Sequence, residues 1–190
     1  MRVDINCDMG ESFGAYEIGV DDDVLPHVTS ANIACGFHGG DPTVMRTTVA
    51  NAMKNGVAIG AHPGLPDLIG FGRRAMQVTP QEVYDLVIYQ VGALLGFVHA
   101  AGAEMRHVKA HGALVPRSRP DAMVTDVDEA VRRAVRMVKE GVVPDVEGEE
   151  ILIRADTLCV HGDGPHAGPL ARQLRAGLEA AGIQVVARGA

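Results

Sequence analysis

The chain has 190 residues, 47% hydrophobic and 22% charged, the composition of a soluble globular protein long enough to bury a substantial core. With 17 Lys and Arg against 24 Asp and Glu, the formal net charge is −7 and no basic run occurs. That balance argues against nucleic acid as a partner and leaves any anionic ligand to be held by local groups.

Three cysteines, Cys7, Cys35 and Cys159, lie far apart without a C-x-x-C spacing, so neither a disulfide framework nor a structural zinc site is implied. Arg2 and Asp4 interrupt the start of the chain, so no signal peptide is expected there. No apolar run is read as approaching the roughly 20 residues of a membrane span. The expectation is a cytoplasmic protein that acts away from membranes.

Met1 to Asn6 alternates as a strand does, with Val3, Ile5 and Cys7 on one side and Asp4, Asn6 and Asp8 on the other. Thr29 to Ala34 is a second strand. Asp41 as N-cap and Pro42 at the first position open a helix that Gly56 ends. Val57 to Gly60 is short and apolar, like a buried parallel strand. Thr79, Pro80 and Glu82 form a capping-box pattern that starts a helix reaching about Ala101. Met105 to Ala110 reads as a strand, Val127 to Glu140 as a helix, and Thr157 to His161 as a strand. Ala167 to Ala181 is a further helix and Ile183 to Ala187 a closing strand. Ala113 to Thr125 and Gly141 to Glu150 read as irregular. Strands alternating with helices predict a parallel α/β sheet or barrel within one domain, residues 1–190.

Four strand-like segments end in titratable groups, and in α/β folds the carboxyl ends of strands are where reacting groups converge. Asp4, Asn6 and Asp8 share one face of the first strand. Two unpaired carboxylates would be costly to bury there unless a cation, a proton or a substrate compensates. His38 and His62 each follow a strand and sit beside glycines, so both are candidates for a general acid, a general base or a ligand. His107, Lys109 and His111 alternate onto one face, where the lysine suits a carboxylate or phosphate. Gly70-Phe71-Gly72-Arg73-Arg74 is a glycine loop with two guanidinium forks. Gly162 and Gly164 precede a helix N-terminus as in a phosphate nest, yet no Walker motif occurs in the chain.

These runs together resemble the LamB/YcsF family, whose assigned activity is that of a 5-oxoprolinase component. The resemblance rests on Asp4-x-Asn6-Cys7-Asp8-x-Gly10-Glu11-Ser12-Phe13-Gly14 and Ser30-Ala31-Asn32-Ile33-Ala34-Cys35-Gly36-Phe37-His38-x-Gly40-Asp41-Pro42. It continues in Gly60-Ala61-His62-Pro63-Gly64, Gly70 to Arg74, His107-Val108-Lys109-x-His111-Gly112-Ala113-Leu114 and Ala155 to Ala167. It implies an irregular (β/α) barrel similar to the glycoside hydrolase/deacetylase group. It also implies ATP-dependent hydrolysis of the lactam of 5-oxo-L-proline to L-glutamate, with ATP as co-substrate and two further 5-oxoprolinase subunits as partners. On this reading Asp8, His38 or His62 is the base for the attacking water, while Lys109 and His111 hold a carboxylate or a developing oxyanion. Asn6, Glu11, Asn32, Arg73, His161 and Asp163 are the further substrate-binding candidates.

The chain departs from the family pattern after Leu114, where Val115 to Pro120 follows directly in place of several tens of residues. Either the protein lacks part of the barrel, or these 190 residues join segments that flank a further stretch. The second account is favoured, because deleting barrel strands leaves unpaired edges. It predicts an intact mass above 20.0 kDa. Two other functions stay open. One is a metal-dependent hydrolase or deacetylase of a small amide or acylated sugar, with the histidines, Asp4 and Asp8 as ligands. The other is a non-catalytic ligand-binding subunit.

Overall fold

The computed structural model describes residues 1–115, 124, 126–145, 147–162, 164 and 166–188. Strand β1 (Arg2–Met9) lies inside a parallel sheet with β2 (Ser30–Ala34), β3 (Ala58–His62), β4 (Met105–Val108) and β7 (Thr157–His161), in the order β4-β3-β2-β1-β7. A short β8 (Gln184–Val185) pairs with the start of β1, while β7 takes Asp4 to Asp8 on the same side. Helices α2 (Pro42–Lys54), α3 (Pro80–Ala100), α4 (Val127–Glu140) and α5 (Ala167–Ala180) alternate with these strands, and a one-turn α1 (Asp21–Val24) follows β1. The expected parallel α/β arrangement is therefore present.

The alternation of β1 divides its two faces. Val3, Ile5, Cys7 and Met9 are at most 1% exposed and belong to the apolar core. Asp4, Asn6 and Asp8 are also buried, at 4–6% exposure, on the opposite face. Three strand spacings separate β4 from β1, about 14 Å along a flat sheet. Yet Lys109, just past β4, places its Nζ 2.6 Å from Asp8 Oδ1. The sheet must curl so that its polar face becomes the inside of a barrel-like arc. Among the described strands that arc is open between β4 and β7.

Local chemistry sets the helix starts. Asp41 Oδ1 accepts from the amides of Thr43 and Val44, and Thr79 with Glu82 closes a complete capping box. Gly141, with φ +68, ends α4 in a left-handed cap. Residues 142–152, within the stretch expected to be irregular up to Glu150, instead include an antiparallel hairpin of β5 (Val142–Pro144) and β6 (Glu150–Leu152). Asp145 organises its turn by accepting from the amides of Glu147 and Glu149.

Helix α3 corrects the expectation about apolar runs. At 21 residues, with mean hydropathy 1.4 over an 18-residue stretch of it, it is long and apolar enough to cross a membrane by length and composition. In the fold it lies against the sheet through Gln90, Leu94 and Val98. The Gln90 amide clamps the backbone of Gly64 from both sides, accepting from its N–H and donating to its carbonyl at 2.9 Å each. Replacing Gln90 with Leu keeps the bulk but leaves that buried peptide unsatisfied at two atoms. We expect Gln90→Leu to lower stability by about 2–4 kcal/mol, read as a reduced urea midpoint.

Candidate active site

The polar groups on the inner face of the sheet form one connected network. Asp4 Oδ1 accepts from the hydroxyls of Thr29 and Ser30, and its other oxygen accepts from Thr157. Asn6 donates to Thr157 and the carbonyl of Leu158, and its oxygen accepts from Asn32. Asn32 also donates to Asp8 at 2.9 Å and accepts from His107 Nε2 at 2.7 Å. For that last bond the His107 ring must pass over β3, where a Cβ on Gly60 would lie 2.1 Å from it. Only a glycine permits this crossing.

Asp8 is the junction. Both of its oxygens accept from Lys109 Nζ, at 2.6 and 2.8 Å, while His62 Nε2 stands 3.4 Å from one and His161 Nδ1 3.4 Å from the other. Burial alone would push the Asp8 carboxyl up. The hydrogen bond and charge of His62, with those of Lys109, outweigh burial and hold it well below the usual carboxylate range. Lys109 is correspondingly raised: burial opposes its charge, and Cys159 and Asp8 overcome that. Of these two neighbours, Asp8 is the charged partner of Lys109, since burial pushes the Cys159 thiol up to about 11 and leaves it neutral.

Behind Asp8 four residues converge: Glu11, His38, His62 and His111, all buried, offer one ligand atom each within 4.8 Å of one another. His38 stacks on His111 with ring centroids 3.7 Å apart, and His62 meets both edge-on. Burial, then the charge of His62, lowers His38 to about 3, and burial with the neighbouring histidines lowers His111 to about 4. The loop at Phe71 and Gly72 closes this side. Gly72, at φ +63, would place a Cβ 2.7 Å from His38 and 2.9 Å from His111. These residues could hold a divalent metal ion.

The structure brings Asn6, Asp8, Glu11, Asn32, His38, His62, Lys109 and His111 together, with His161 at the open side. Arg73 is exposed and lies over the Phe71 ring, 5.0 Å from its centroid. Asp163 lies outside the described residues. Asp4, a candidate ligand in the metal-hydrolase reading, has both oxygens engaged by hydroxyls and is not part of either metal-competent group.

Other residues that shape the site escaped the sequence reading. Asp67 pairs with Arg74 and accepts from the Gly70 amide, fixing the glycine loop. Asp21 accepts from the Gly10 amide at 2.7 Å, beside Glu11. A lone acidic residue in a polar stretch carries no signal of such a role.

A family model described as the LamB/YcsF family matches residues 3–116 and 112–189. The chain belongs to the LamB/YcsF family. It is 45% identical to the A subunit of the 5-oxoprolinase of Bacillus subtilis, covering 98% of this chain and 96% of that protein. It is 46% identical to the A subunit of the Bordetella pertussis 5-oxoprolinase, covering 97% and 98%. A crystal structure of a lactam utilization protein from Thermus thermophilus superposes with TM-score 0.92 at 40% identity, covering 98% of this chain and 100% of that one. The Bacillus alignment spans 248 positions against 190 residues here, so that relative carries tens of residues without a counterpart. The two family matches meet at residues 112–116, which places the break where the sequence departs from the family pattern.

Burial raises Asp21 to about 6, against the lowering effect of the Gly10 amide. Because its folded pKa lies above its unfolded value near 3.8, it keeps a proton longer in the folded state. Stability from this group is therefore lost as pH rises from about 4 to 6. Asp21→Asn should raise stability by about 1–2 kcal/mol at pH 7.5, with the gain vanishing near pH 4, as read from thermal melts at both pH values.

Proposed function

We propose that this chain is the A component of an ATP-dependent 5-oxoprolinase, hydrolysing the lactam of 5-oxo-L-proline to L-glutamate with two partner subunits. The relatives at 43–46% identity that bear the name of the 5-oxoprolinase A component support the substrate. The observation that carries the chemistry is the Asp8–Lys109 pair, set between a buried histidine cluster and the open side of the arc.

A lactam carbonyl is stabilised by resonance, which accounts for coupling its opening to ATP. Water adds to the carbonyl carbon, the carbon–nitrogen bond breaks, and the ring nitrogen leaves with a proton as the amine of glutamate. Of the three candidate bases, His38 and His62 are fully buried and Asp8 alone adjoins the open side through Lys109 and His161. Asp8 is assigned the proton of the attacking water. Paired with Lys109 it is a weak base. Capture of Lys109 by the carboxylate of the substrate removes one of its two cationic partners and raises its proton affinity. Lys109 is the positive group, and His161 a neighbouring hydrogen-bonding group, for the substrate carboxylate or the developing oxyanion. His111 has both ring nitrogens engaged within the protein, so it positions the cluster and does not hold the oxyanion.

The test is glutamate release from 5-oxoproline and ATP by this chain with its candidate partner subunits. We expect no glutamate without the chain, and a fall of at least about 100-fold in kcat/KM for Asp8→Asn and Lys109→Met. A wild-type rate for Asp8→Asn would remove Asp8 as the base, and undiminished glutamate without this chain would overturn the reading as a whole.

A further inference from the structure

The hydrogen bonds on the outer nitrogens of two buried histidines fix what their inner nitrogens are. His62 Nδ1 faces the carbonyl oxygen of Lys109 at 2.7 Å, and His111 Nε2 faces the carbonyl oxygen of Phe71 at 2.8 Å. A carbonyl oxygen only accepts, so each of these nitrogens carries the ring hydrogen. In a neutral imidazole the other nitrogen is then a bare lone pair. Those two lone pairs, His62 Nε2 and His111 Nδ1, point at one another across 2.9 Å. Glu11 Oε1 lies 3.5 Å from the second and 4.0 Å from the first, and His38 Nε2 stands 3.1 Å from the same oxygen. Three electron-rich atoms thus face a common centre, and His38 Nε2 becomes the fourth once its ring hydrogen sits on Nδ1, a buried atom with no hydrogen-bond partner among the described residues; all four side chains are at most 5% exposed. An arrangement of this kind is repulsive unless a metal ion occupies its centre or a proton is shared between His62 and His111, as in the protonated form of His62.

We propose that Glu11, His38, His62 and His111 form a binding site for one divalent transition-metal ion of the zinc class. Zinc–nitrogen and zinc–oxygen bonds near 2.0–2.1 Å place tetrahedral ligands about 3.3–3.4 Å apart. The four separations given above, 2.9, 3.1, 3.5 and 4.0 Å, bracket that value. The outer N–H of both His62 and His111 is anchored on a backbone carbonyl, the second-layer contact that orients a ligating imidazole. Three neutral nitrogens and one carboxylate oxygen suit zinc, cobalt or manganese better than calcium or magnesium, which take oxygen ligands. The neighbouring group of Asp8, Cys159 and His161 is the competing location. There Lys109 already neutralises Asp8, and the Cys159 thiol is held in its neutral form.

This inference goes beyond the lactam reading and does not rest on it, because its test uses neither substrate nor ATP. The full chain, stripped of metal by chelation, is titrated with Co2+ and followed by visible absorption, with Zn2+ used to displace it. The proposed site predicts one Co2+ per chain, a tetrahedral visible band, and no sulfur-to-cobalt charge-transfer band in the near ultraviolet. Glu11→Gln and His111→Ala should each weaken Co2+ at least about 100-fold, more than loss of a second-layer partner does. His161→Ala should leave the titration unchanged. A charge-transfer band that disappears in Cys159→Ser would put the metal at the competing group and overturn the assignment. Absence of Co2+ and Zn2+ binding would also overturn it, leaving a shared proton between His62 and His111. Should the cluster variants fail to fold, the wild-type spectrum alone separates these outcomes.

Discussion

The buried polar face of β1 is the constraint on which the rest of the structure depends. Asp4, Asn6 and Asp8 sit in the middle of a parallel sheet, where an unsatisfied carboxylate or amide costs several kcal/mol. Each of them recruits partners from neighbouring strands in a fixed order. Asp4 takes hydroxyls from Thr29, Ser30 and Thr157; Asn6 takes Thr157 and Asn32; Asp8 takes Asn32 and Lys109. Because Lys109 follows β4, satisfying Asp8 requires the sheet to curl. The same requirement explains why β2 carries Ser30 and Asn32 on its inner face and why β3 has no side chain at Gly60. The polar network and the curvature are one solution to one problem.

That solution creates the chemistry at no separate structural cost. The curl that brings Lys109 to Asp8 also draws the loop ends after β2, β3 and β4 together, which stacks His38 on His111 and sets His62 edge-on to both. The loop through Phe71 and Gly72 seals the far side, and the carbonyl of Phe71 sets the tautomer of His111. On the near side, Lys109 and His161 are partly exposed while the carboxylate they flank is buried. A buried cluster therefore adjoins an exposed mouth through Asp8, the arrangement in which a charge developing at the mouth is felt most strongly.

Much of this was legible in the sequence because period and punctuation speak directly. The alternation of β1, the caps at Asp41 and Thr79, and the repeated order of strand, histidine and glycine placed nearly every polar residue of the network at a strand end or on an inner face. What escaped follows from long-range geometry. Gln90 reads as an ordinary polar residue of an amphipathic helix until Gly64 is seen between the arms of its amide. Asp4 reads as a ligand as readily as Asp8 does, and only three hydroxyls from distant segments separate their roles. The β5–β6 hairpin is too short and too exposed to leave a period-2 signature, with Leu152 standing in solvent. The tautomers of His62 and His111 depend on carbonyls 47 and 40 residues away, which no local pattern encodes.

The open side of the arc has its own physical logic. Among the described residues strand β4 is an edge, Val108 on it is half exposed, and α3 beside it presents Tyr84, Ile88 and Tyr89 to solvent. An edge strand and an apolar helix face are both surfaces that stable folds cover. The break between the two family matches falls at residues 112–116, a few residues beyond the end of β4. The chain thus departs from its relatives next to a strand edge and an apolar helix face that no other described residues cover. The network around Asp8 touches that region only through His107 and Lys109 at the end of β4, its other partners coming from β2, β3 and β7. Site and flank are separable: a change in what covers α3 and β4 acts on stability and assembly before it reaches the Asp8–Lys109 pair, and it reaches that pair only by shifting the end of β4 that carries Lys109.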